Sequence, residues 1–451
     1  MATIEGKFRV IIVGGGPVGL CLAHSLSLAG IDYVLLESRD TIVEKTGLGL
    51  ALWPHGVRIL DQLGLLEEGR KVYLPVNDKY NHRPDGSEID HSDLHGHPWM
   101  LFHRQKLLEL LHNHLPERDT RILTGKKVVS IETDAQGVTV HCSDGTDEEG
   151  SIVVGCDGVH STVRQMMREL MLKSSAKVTD SDSPMVAQYQ MLAGHIGRLP
   201  DMEAGRLWET RFDKMNIQTF MLKDEGWFLA YKRLPAPVSE PTRYTDEDAE
   251  SFASSIMECA ITPDKKFGDL WAARKWFRLL NLEEGYIQTW HWDRIVLLGD
   301  SVHKMTPNSG LGLNQGWQGV VALTNILHRL LAGNLDPDTE TLGEAFAEYK
   351  KKTEWMAENS MRLSSLYTRI TAWHNGLYKA VDYLGPYLGG DMMLFRMLAS
   401  PIVKRGIVLD FVPERGLVTG RIKWVNDAAQ KKEPGLVTRA DGAASQRSTT
   451  F

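Results

Sequence analysis

Three glycines near the amino terminus have the spacing of a turn that binds a pyrophosphate. Gly14, Gly16 and Gly19 form a GxGxxG pattern directly after an apolar run, Arg9 to Val13, that predicts a buried strand. The first glycine permits a tight turn, the second lets the backbone approach an anion, and the third lets a helix pack closely on the strand. The positive end of the helix dipole then faces the phosphates.

A carboxylate follows these glycines at the distance expected for ribose binding. Tyr33 to Leu36 predict a second strand, and Glu37 closes it about twenty residues after the turn. Glu37 can accept hydrogen bonds from an adenosine ribose, and it would repel a 2′-phosphate. The segment therefore predicts FAD or NAD, which the turn alone does not separate. The alternative is a glycine turn that only lets a helix cross a sheet.

Two later strands are also followed by aspartate. Asp157 follows the strand from Ser151 to Gly155, where it can hold an arginine or a water network near the pyrophosphate, or cap a helix. Asp300 follows the buried run that starts at Arg294, and its carboxylate can accept a hydrogen bond from a ribityl hydroxyl.

The loop after Asp300 has the composition of a flavin contact. Its turn from Gly310 to Asn314, which includes Gly312, opens a predicted helix that runs from Gln315 to Leu331. Such a turn can offer N–H groups to the electron-rich pyrimidine edge of a flavin and to its reduced N1. A strand, loop and helix without a ligand is the alternative.

A large folded chain is needed to position these segments, and the composition agrees with one. The 451 residues are enough for two or three domains, and 42% hydrophobic content is ordinary for a soluble globular protein. A formal net charge of −7, without a block rich in lysine and arginine, argues against nucleic acid as a partner.

Cysteine and histidine usage predicts neither disulfides nor a metal site. The four cysteines lack paired ligand spacing, so we expect reduced thiols and, since no secretory signal is visible, a cytoplasmic protein. The histidines of the segment from Lys71 to Met100 lack a ligand constellation and are predicted to lie on a loop surface. They are His82, His91, His95 and His97.

The rest of the chain predicts a second region and a helical end. Lys71 to Met100 indicate a polar hairpin with its turn at Pro84 to Gly86, and a strand-rich, tryptophan-rich region opens at Met185. A pocket among these aromatic residues should be broad and apolar, although such residues more often fill cores. Met392 to Val412 is too interrupted by charges to span a bilayer, so it is a packed helical region or at most a peripheral membrane contact.

Three motifs in this order resemble those of a known enzyme group. The Gly14 to Gly19 turn, Cys156-Asp157-Gly158, and Gly299-Asp300 through Asn314 are similar to the group A flavoprotein monooxygenases, whose prototype fold is that of p-hydroxybenzoate hydroxylase. Within that group, GDSVHKMTPNSGLGLN, NLEEGYIQTWHWDR and YTDEDAE resemble fungal FAD-dependent monooxygenases of indole-diterpene, meroterpenoid and alkaloid pathways.

The resemblance implies roles at the adenosine and pyrophosphate end of FAD. Glu37 would bind the ribose, Gly47 or Gly49 would line the cofactor, and Arg104 would lie over the flavin side of the pyrophosphate. Asp157 would belong to the motif that serves both FAD and the reductant.

The resemblance also implies roles at the flavin end of FAD, where this sequence differs from the family pattern at several positions. Asp300 would bind the ribityl chain, while Pro307 and Leu313 would lie by the isoalloxazine ring. Gln190 replaces an arginine that some relatives use as acid or anchor, and Trp208 replaces a tyrosine, which makes both weak catalytic candidates. Where many relatives carry an aspartate after the Asn314 turn, this chain has Gln318-Gly319, so one helix contact is expected to be missing.

The predicted fold class is α/β, with a Rossmann-like FAD-binding domain, an interleaved β-sheet substrate domain and C-terminal helices. The FAD-binding domain takes residues 1–75, 101–178 and 285–331, and the substrate domain takes 76–100 and 179–284. Residues 332–427 form a C-terminal helical region, and 428–451 form a disordered tail.

The predicted function is that of a monooxygenase with non-covalent FAD and with NADPH or NADH as reductant. A flavin C4a-hydroperoxide would deliver one oxygen atom from O₂ to a hydrophobic terpenoid, indole or aromatic substrate, giving an epoxide or a hydroxyl group. The alternative is a flavin-dependent dehydrogenase or cyclase without oxygen insertion. A binding or membrane-associated protein with a vestigial cofactor site is a second alternative.

Overall fold

A computed structural model describes residues 8–44, 47–93, 99–388, 395–415 and 423–426 of the chain. Its strands, in chain order, are β1 (Arg9–Val13), β2 (Asp32–Leu36), β3 (Gly49–Leu52), β4 (Asp78–His82), β5 (Glu88–Asp93), β6 (Met100–His103), β7 (Ile122–Leu123), β8 (Val128–Thr133), β9 (Val138–Cys142), β10 (Asp147–Gly150), β11 (Ile152–Gly155), β12 (Val186–Gly197), β13 (Arg206–Phe212), β14 (Met215–Met221), β15 (Glu225–Val238), β16 (Ala260–Thr262), β17 (Lys265–Lys266), β18 (Arg274–Tyr286), β19 (His291–Trp292), β20 (Ile295–Leu297) and β21 (His303–Lys304).

The helices, in chain order, are α1 (Pro17–Ala29), α2 (Pro54–Gln62), α3 (Leu66–Val72), α4 (Arg104–Asn113), α5 (Arg118–Arg121), α6 (Thr162–Lys173), α7 (Asp246–Ser254), α8 (Phe267–Ala272), α9 (Gly312–Gly333), α10 (Thr339–Thr371), α11 (Gly376–Leu384) and α12 (Ser400–Val403). Short 3₁₀ turns cover Gly299–Ser301, Pro307–Ser309 and Gly385–Leu388, and a π turn covers Phe395–Ala399.

A six-stranded sheet brings the three predicted cofactor motifs together. Its strand order is β19-β20-β11-β1-β2-β7, and every pair is parallel except β19 with β20. Parallel strands place their carboxyl ends at one edge, which is where ligands bind in such sheets. The residues after Val13, Leu36, Gly155 and Leu297 therefore meet at that edge.

An eight-stranded sheet forms the second layer, in the order β21-β18-β12-β15-β14-β13-β4-β5. The predicted hairpin is confirmed, because β4 and β5 pair antiparallel and Gly86 in their turn has a φ of +84°. This hairpin joins the sheet of the tryptophan-rich region through a parallel pairing of β4 with β13. The domain bounds drawn from the sequence remain a proposal.

Two faces of the eight-stranded sheet have different coverings. One face packs against α7 and α8, where Phe252, Phe267 and Trp271 join the buried side chains Ile217 and Phe228 of the sheet. The other face looks toward α10 and encloses a cavity. Because side chains alternate along a strand, each strand contributes to both faces.

The long helices connect the two sheets. α9 lies against α1, and α10 lies along α9. Near its start α10 contacts the six-stranded sheet, where the Tyr349 hydroxyl donates to the Leu297 carbonyl at 3.2 Å. Farther along, α10 reaches the cavity with Leu363 and Tyr367.

Some surface predictions need correction. His82 does not lie on a loop surface, because its ring is buried and its Nδ1 lies 2.8 Å from the Ile261 carbonyl oxygen. His91 is exposed, and His95 and His97 lie outside the described residues. In the ranges that the structure describes, no group of histidine, cysteine and acidic residues could hold a metal ion. The four cysteines are free thiols.

Part of the carboxyl-terminal segment packs against buried residues of earlier elements. Ile402, Val403 and Leu409 are buried, whereas residues 392–394 and the predicted tail 428–451 lie outside the described residues. Large apolar side chains that are more than half exposed in this part of the chain lie on and after α11: Leu377, Leu384, Tyr387, Leu388, Met397 and Val425. Within the described ranges, no helix is both long and apolar enough to cross a membrane.

Candidate active site

The glycine turn lies where β1 ends and α1 begins. Gly14 has a φ of +109°, and a Cβ there would lie 2.6 Å from the Cys156 carbonyl oxygen. A Cβ on Gly19 would lie 2.0 Å from the Gly14 carbonyl oxygen. Both positions therefore require glycine, because the backbone atoms that they meet cannot move aside.

Gly16 differs from these two because the space beside it is open. A Cβ at this position would meet no described atom within 4 Å. Gly16 is the N-cap of α1, and the first turn of that helix has neither a side-chain cap nor an acidic residue among the described residues. The N–H groups and the positive end of the helix dipole thus face a space that a pyrophosphate can fill.

Glu37 is held beside this turn at the carboxyl end of β2. Its Oε2 accepts a hydrogen bond of 2.7 Å from the Gly15 N–H, and its Oε1 accepts one of 3.0 Å from the Arg39 N–H. The side chain is buried. Its position matches that of the acidic residue that binds a ribose in dinucleotide-binding folds.

Arg104 begins α4 and packs against Gly47, where a Cβ would lie 2.7 Å from the arginine Cδ. Burial lowers the pKa of its guanidinium, and the nearby carboxylates of Glu44, Asp300 and Glu37 only partly oppose that effect. Within the described chain, no hydrogen bond or ion pair engages the guanidinium. A half-buried cation without a partner fits an anionic ligand such as the FAD pyrophosphate.

Asp157 caps α6. Its Oδ2 accepts hydrogen bonds from the Thr162 and Val163 N–H groups at 2.7 and 3.0 Å, and its Oδ1 accepts one from the Ser161 hydroxyl at 2.5 Å. The geometry is therefore that of the helix-cap alternative. Arg164, which follows on the same helix, donates to the Ser301 carbonyl at 2.9 Å and not to Asp157.

Asp300 lies close to the glycine turn because two glycines let the chains approach. Cβ atoms on Gly299 and Gly316 would lie 3.2 and 2.7 Å from the Val18 side chain, at the start of α1. The Asp300 carboxylate is partly exposed and forms an ion pair with Lys304.

The segment from Pro307 to Asn314 folds as a 3₁₀ turn, a left-handed Gly310 with a φ of +67°, and the start of α9 at Gly312. Leu313 is half-buried and packs on the main core. The buried Asn314 side chain accepts a hydrogen bond of 2.9 Å from the Trp53 N–H and donates to the Ala51 and Gly310 carbonyls. Asn314 thus fixes the loop, while the first amides of α9 have no side-chain cap within the described chain.

A cavity of about 310 Å³ lies next to this loop. Its wall includes Gly49, Pro307 and Gly310, which the sequence assigned to the cofactor. Most of the remaining wall is apolar and comes from the eight-stranded sheet and the β3 region: Leu48, Met191, Leu207, Phe220, Trp227 and Leu229. The cavity therefore joins the predicted flavin loop to an apolar chamber of small-molecule size.

Comparison with known proteins agrees with this geometry. The family described as FAD binding domain matches residues 7–197 and 227–350. The FAD-dependent monooxygenase srdH of Neurospora crassa is 36% identical over 449 residues, which cover 92% of this chain and 98% of that protein. The FAD-dependent monooxygenase olcE of Penicillium canescens is 34% identical over 421 residues, which cover 90% of each chain.

This chain belongs to the FAD-dependent monooxygenases. The enzyme uses FAD as its cofactor and NAD(P)H as its reductant. Among solved structures, HpxO of Klebsiella pneumoniae with FAD and uric acid has a TM-score of 0.70 at 18% identity, covering 88% of this chain and 97% of that chain. The 2,6-dihydroxypyridine-3-hydroxylase of Arthrobacter nicotinovorans has a TM-score of 0.65 at 18% identity, covering 81% of this chain and 93% of that chain. The predicted fold is confirmed.

The two weak catalytic candidates lie away from the monooxygenase cavity. Trp208 is buried on the face of the eight-stranded sheet that α7 and α8 cover, and it stacks on Tyr80 with ring centroids 6.4 Å apart. Gln190 shares that face with Leu192 by strand alternation. Their neighbours Met191 and Leu207 line the cavity instead.

The predicted departure at Gln318-Gly319 has a structural use in the monooxygenase. The buried Gln318 accepts a hydrogen bond from the Ile407 N–H and so ties α9 to the carboxyl-terminal segment. A Cβ on Gly319 would lie 3.2 Å from Leu298 and 3.3 Å from the Tyr349 hydroxyl. This part of α9 therefore serves packing.

A polar cluster in the monooxygenase cavity was not predicted from the sequence. Lys79 and Tyr367 line the cavity, and both bond to Glu209, whose side chain is fully buried. Gln218 lines the cavity beside them and donates to Glu209 at 2.9 Å. Strand alternation next to Trp208 could have pointed to Glu209, but no local pattern joins it to a hairpin lysine and a helical tyrosine.

Proposed function

We propose that FAD lies along the carboxyl edge of the six-stranded sheet. Glu37 binds the adenosine ribose, and the glycine turn with Arg104 binds the pyrophosphate. Asp300 binds the ribityl chain once it turns from Lys304. Three features of this edge suit a dianion. They are the open space beside Gly16, the uncapped amides of α1, and the Arg104 guanidinium, which lacks a partner in the described chain.

We propose further that the isoalloxazine ring lies beside Gly49 and the loop from Pro307 to Asn314. Bound FAD supplies the oxygen-transfer chemistry, and the protein orients the substrate and excludes water. The uncapped amides at the start of α9 would stabilise negative charge on the ring. Asp157 acts in this proposal through α6, which it caps, as part of the motif near FAD and the reductant.

We propose that the substrate is a hydrophobic small molecule, such as a terpenoid, indole or prenylated aromatic compound, of secondary metabolism. One atom of O₂ is added across a carbon–carbon double bond to give an epoxide, or to one carbon to give a hydroxyl group; the other atom leaves as water, and NAD(P)H supplies the two electrons. One observation carries this proposal: the apolar cavity of about 310 Å³ opens onto Gly49, Pro307 and Gly310, the residues proposed to contact the ring. The relatives named as FAD-dependent monooxygenases support the reaction type.

The test is oxygen-18 incorporation by FAD-loaded enzyme with NADPH or NADH under ¹⁸O₂. Suitable probes are a geranylated phenol, a prenylated indole and a linear terpene. At least one probe should accelerate NAD(P)H oxidation and gain one ¹⁸O atom. A product without ¹⁸O would favour the dehydrogenase or cyclase alternative. NAD(P)H oxidation that stays uncoupled from product with every probe would count against the proposal.

A matched pair of variants links the chemistry to the cavity. Leu229 lines the cavity, so Leu229→Trp should abolish stimulation by the probes while FAD stays bound. Leu377 is 71% exposed on α11, so Leu377→Trp should behave as wild type. Equal activity of both variants would place the substrate elsewhere.

The proposed compartment is the cytoplasm, where thiols stay reduced. Three of the four free cysteines, Cys21, Cys142 and Cys156, are buried in the main hydrophobic core. Alkylation of the denatured protein purified from its native host should modify all four cysteines, and a disulfide would contradict this proposal.

A further inference from the structure

A buried cluster of charged and polar groups interrupts the apolar wall of the cavity. The Lys79 ammonium lies 2.8 Å from Glu209 Oε2 and also donates to the Tyr367 hydroxyl. The Tyr367 hydroxyl donates to the same Oε2 at 2.5 Å. Lys79 and Tyr367 line the cavity, and the Glu209 side chain lies behind them with no exposure.

Amide side chains fix the other oxygen of Glu209. Its Oε1 accepts hydrogen bonds from Asn216 at 2.7 Å and from Gln218 at 2.9 Å, and the Tyr231 hydroxyl in turn donates to Gln218 at 3.1 Å. A carboxylate bonded on both oxygens has one orientation. It therefore holds the Lys79 ammonium and the Tyr367 hydroxyl at a defined place on the cavity wall.

The cluster also touches the predicted flavin loop. The Gln218 amide lies 3.5 Å from the Asn308 carbonyl, and Asn308 accepts a hydrogen bond of 2.7 Å from Thr368, the neighbour of Tyr367 on α10. A group anchored at the cluster would thus be held at a fixed distance from the Pro307 turn.

Stability alone is a poor explanation for this arrangement. The desolvation cost of a buried ion pair commonly cancels its attraction, and apolar replacements are often at least as stable. Charged groups in a cavity wall are typical of a functional site. Here the Lys79 and Tyr367 side chains line a chamber whose other walls are largely apolar.

We propose that the Lys79 ammonium binds an oxygen atom of the substrate, that the Tyr367 oxygen accepts the proton of that group where it is a hydroxyl, and that Glu209 positions both. The inference rests on the proposed function and makes its substrate class narrower. The substrate is a bulky apolar molecule with a carbonyl, phenolic or alcoholic oxygen at one end. The oxygen is held by the cluster, the hydrocarbon part fills the apolar chamber, and the distance between the two selects the carbon that reacts.

Binding can be measured without turnover because Trp53, Trp99 and Trp227 line the cavity. Quenching of tryptophan fluorescence gives dissociation constants for two probes with the same skeleton, geranylphenol and geranylbenzene. FAD-loaded enzyme is used without NAD(P)H. The readout is the ratio of the two dissociation constants, which cancels their shared apolar contacts.

Two variants remove the cluster in different ways. Tyr367→Phe removes one hydroxyl, and Lys79→Met/Glu209→Gln removes both charges so that neither stays buried alone. In the double variant, the preference for geranylphenol over geranylbenzene should fall by at least about tenfold, the loss expected for a hydrogen bond to a charged group. In Tyr367→Phe, it should fall by about two- to tenfold, the loss expected for a hydrogen bond between neutral groups. The Kd of geranylbenzene should stay the same or decrease.

Tyr244→Phe is the matched control, because its hydroxyl also bonds to a side chain of the eight-stranded sheet, Asn281, but does not line the cavity. This variant should keep the wild-type ratio. An unchanged ratio in both cluster variants would overturn the inference. Quenching by neither probe would overturn it together with the apolar substrate site. A changed ratio without ¹⁸O incorporation would uphold the oxygen-binding cluster and overturn the monooxygenation proposal.

Discussion

Replacing Arg104 by methionine should change FAD binding and protein stability in different directions. In the described chain the guanidinium has no bonded partner, and burial lowers its pKa despite the neighbouring carboxylates. A base with a lowered pKa is one whose charged form is disfavoured by the fold. The charged Arg104 side chain therefore destabilises the apoprotein, and it becomes favourable once an anion binds beside it.

The size of both effects follows from these contacts. Loss of a charged hydrogen bond to the pyrophosphate removes about 1.5–3 kcal/mol, which weakens FAD binding by roughly 10- to 150-fold. The apoprotein loses no described hydrogen bond, so its free energy of unfolding should be unchanged or higher by up to about 1 kcal/mol.

The assay is titration of apoprotein with FAD, followed by flavin fluorescence, together with urea unfolding of the apoprotein. Arg294→Met is the control, because Arg294 is buried at the far end of the six-stranded sheet and donates to the carbonyls of Asp134, Ala135 and Ser151. That variant should lose on the order of 3 kcal/mol of stability and keep its FAD affinity if it folds. Wild-type FAD affinity in Arg104→Met, or a large loss of apoprotein stability, would refute the reasoning.

Three further predictions concern the turn, a buried histidine and the ribityl contact. Gly19→Ala places a Cβ 2.0 Å from the Gly14 carbonyl oxygen and should lower the melting temperature and release FAD, whereas Gly343→Ala, which meets no described atom within 4 Å, should be neutral or stabilising. Burial lowers the pKa of His55 to about 3, so the unfolded chain binds a proton between pH 6.5 and 3 that the folded chain does not. The free energy of unfolding should therefore fall as the pH is lowered through this window, and His55 should account for a loss of about 2 kcal/mol at pH 5. Urea unfolding at pH 7 and pH 5 measures this loss, and the His55→Leu variant should lack the contribution of His55. Asp300→Ala should lose FAD on gel filtration, and a fully flavinylated variant would disprove the ribityl role.

Short-range patterns explain why the cofactor edge was predictable. A glycine turn, an acid after a strand and a glycine before a helix each depend on a few neighbouring residues. Gly19 shows this directly, since a Cβ there would meet the carbonyl oxygen of Gly14, five residues earlier. Parallel pairing then brings the separate segments to one edge without further information.

The cavity wall was harder to predict because it depends on register and on distant pairing. A shift of one residue moves a side chain to the other face of a sheet, which is why Met191 and Leu207 line the cavity and Gln190 and Trp208 do not. The cluster around Glu209 needs the parallel pairing of β4 with β13 and the end of α10 as well. No local sequence pattern specifies those contacts.

The most direct test of the central claim is reconstitution of the purified chain with FAD. Three separated segments meeting at one sheet edge predict a yellow complex with one FAD for each chain, whose colour is bleached by NAD(P)H without oxygen and returns with air. A colourless protein that binds no FAD on titration would contradict the account.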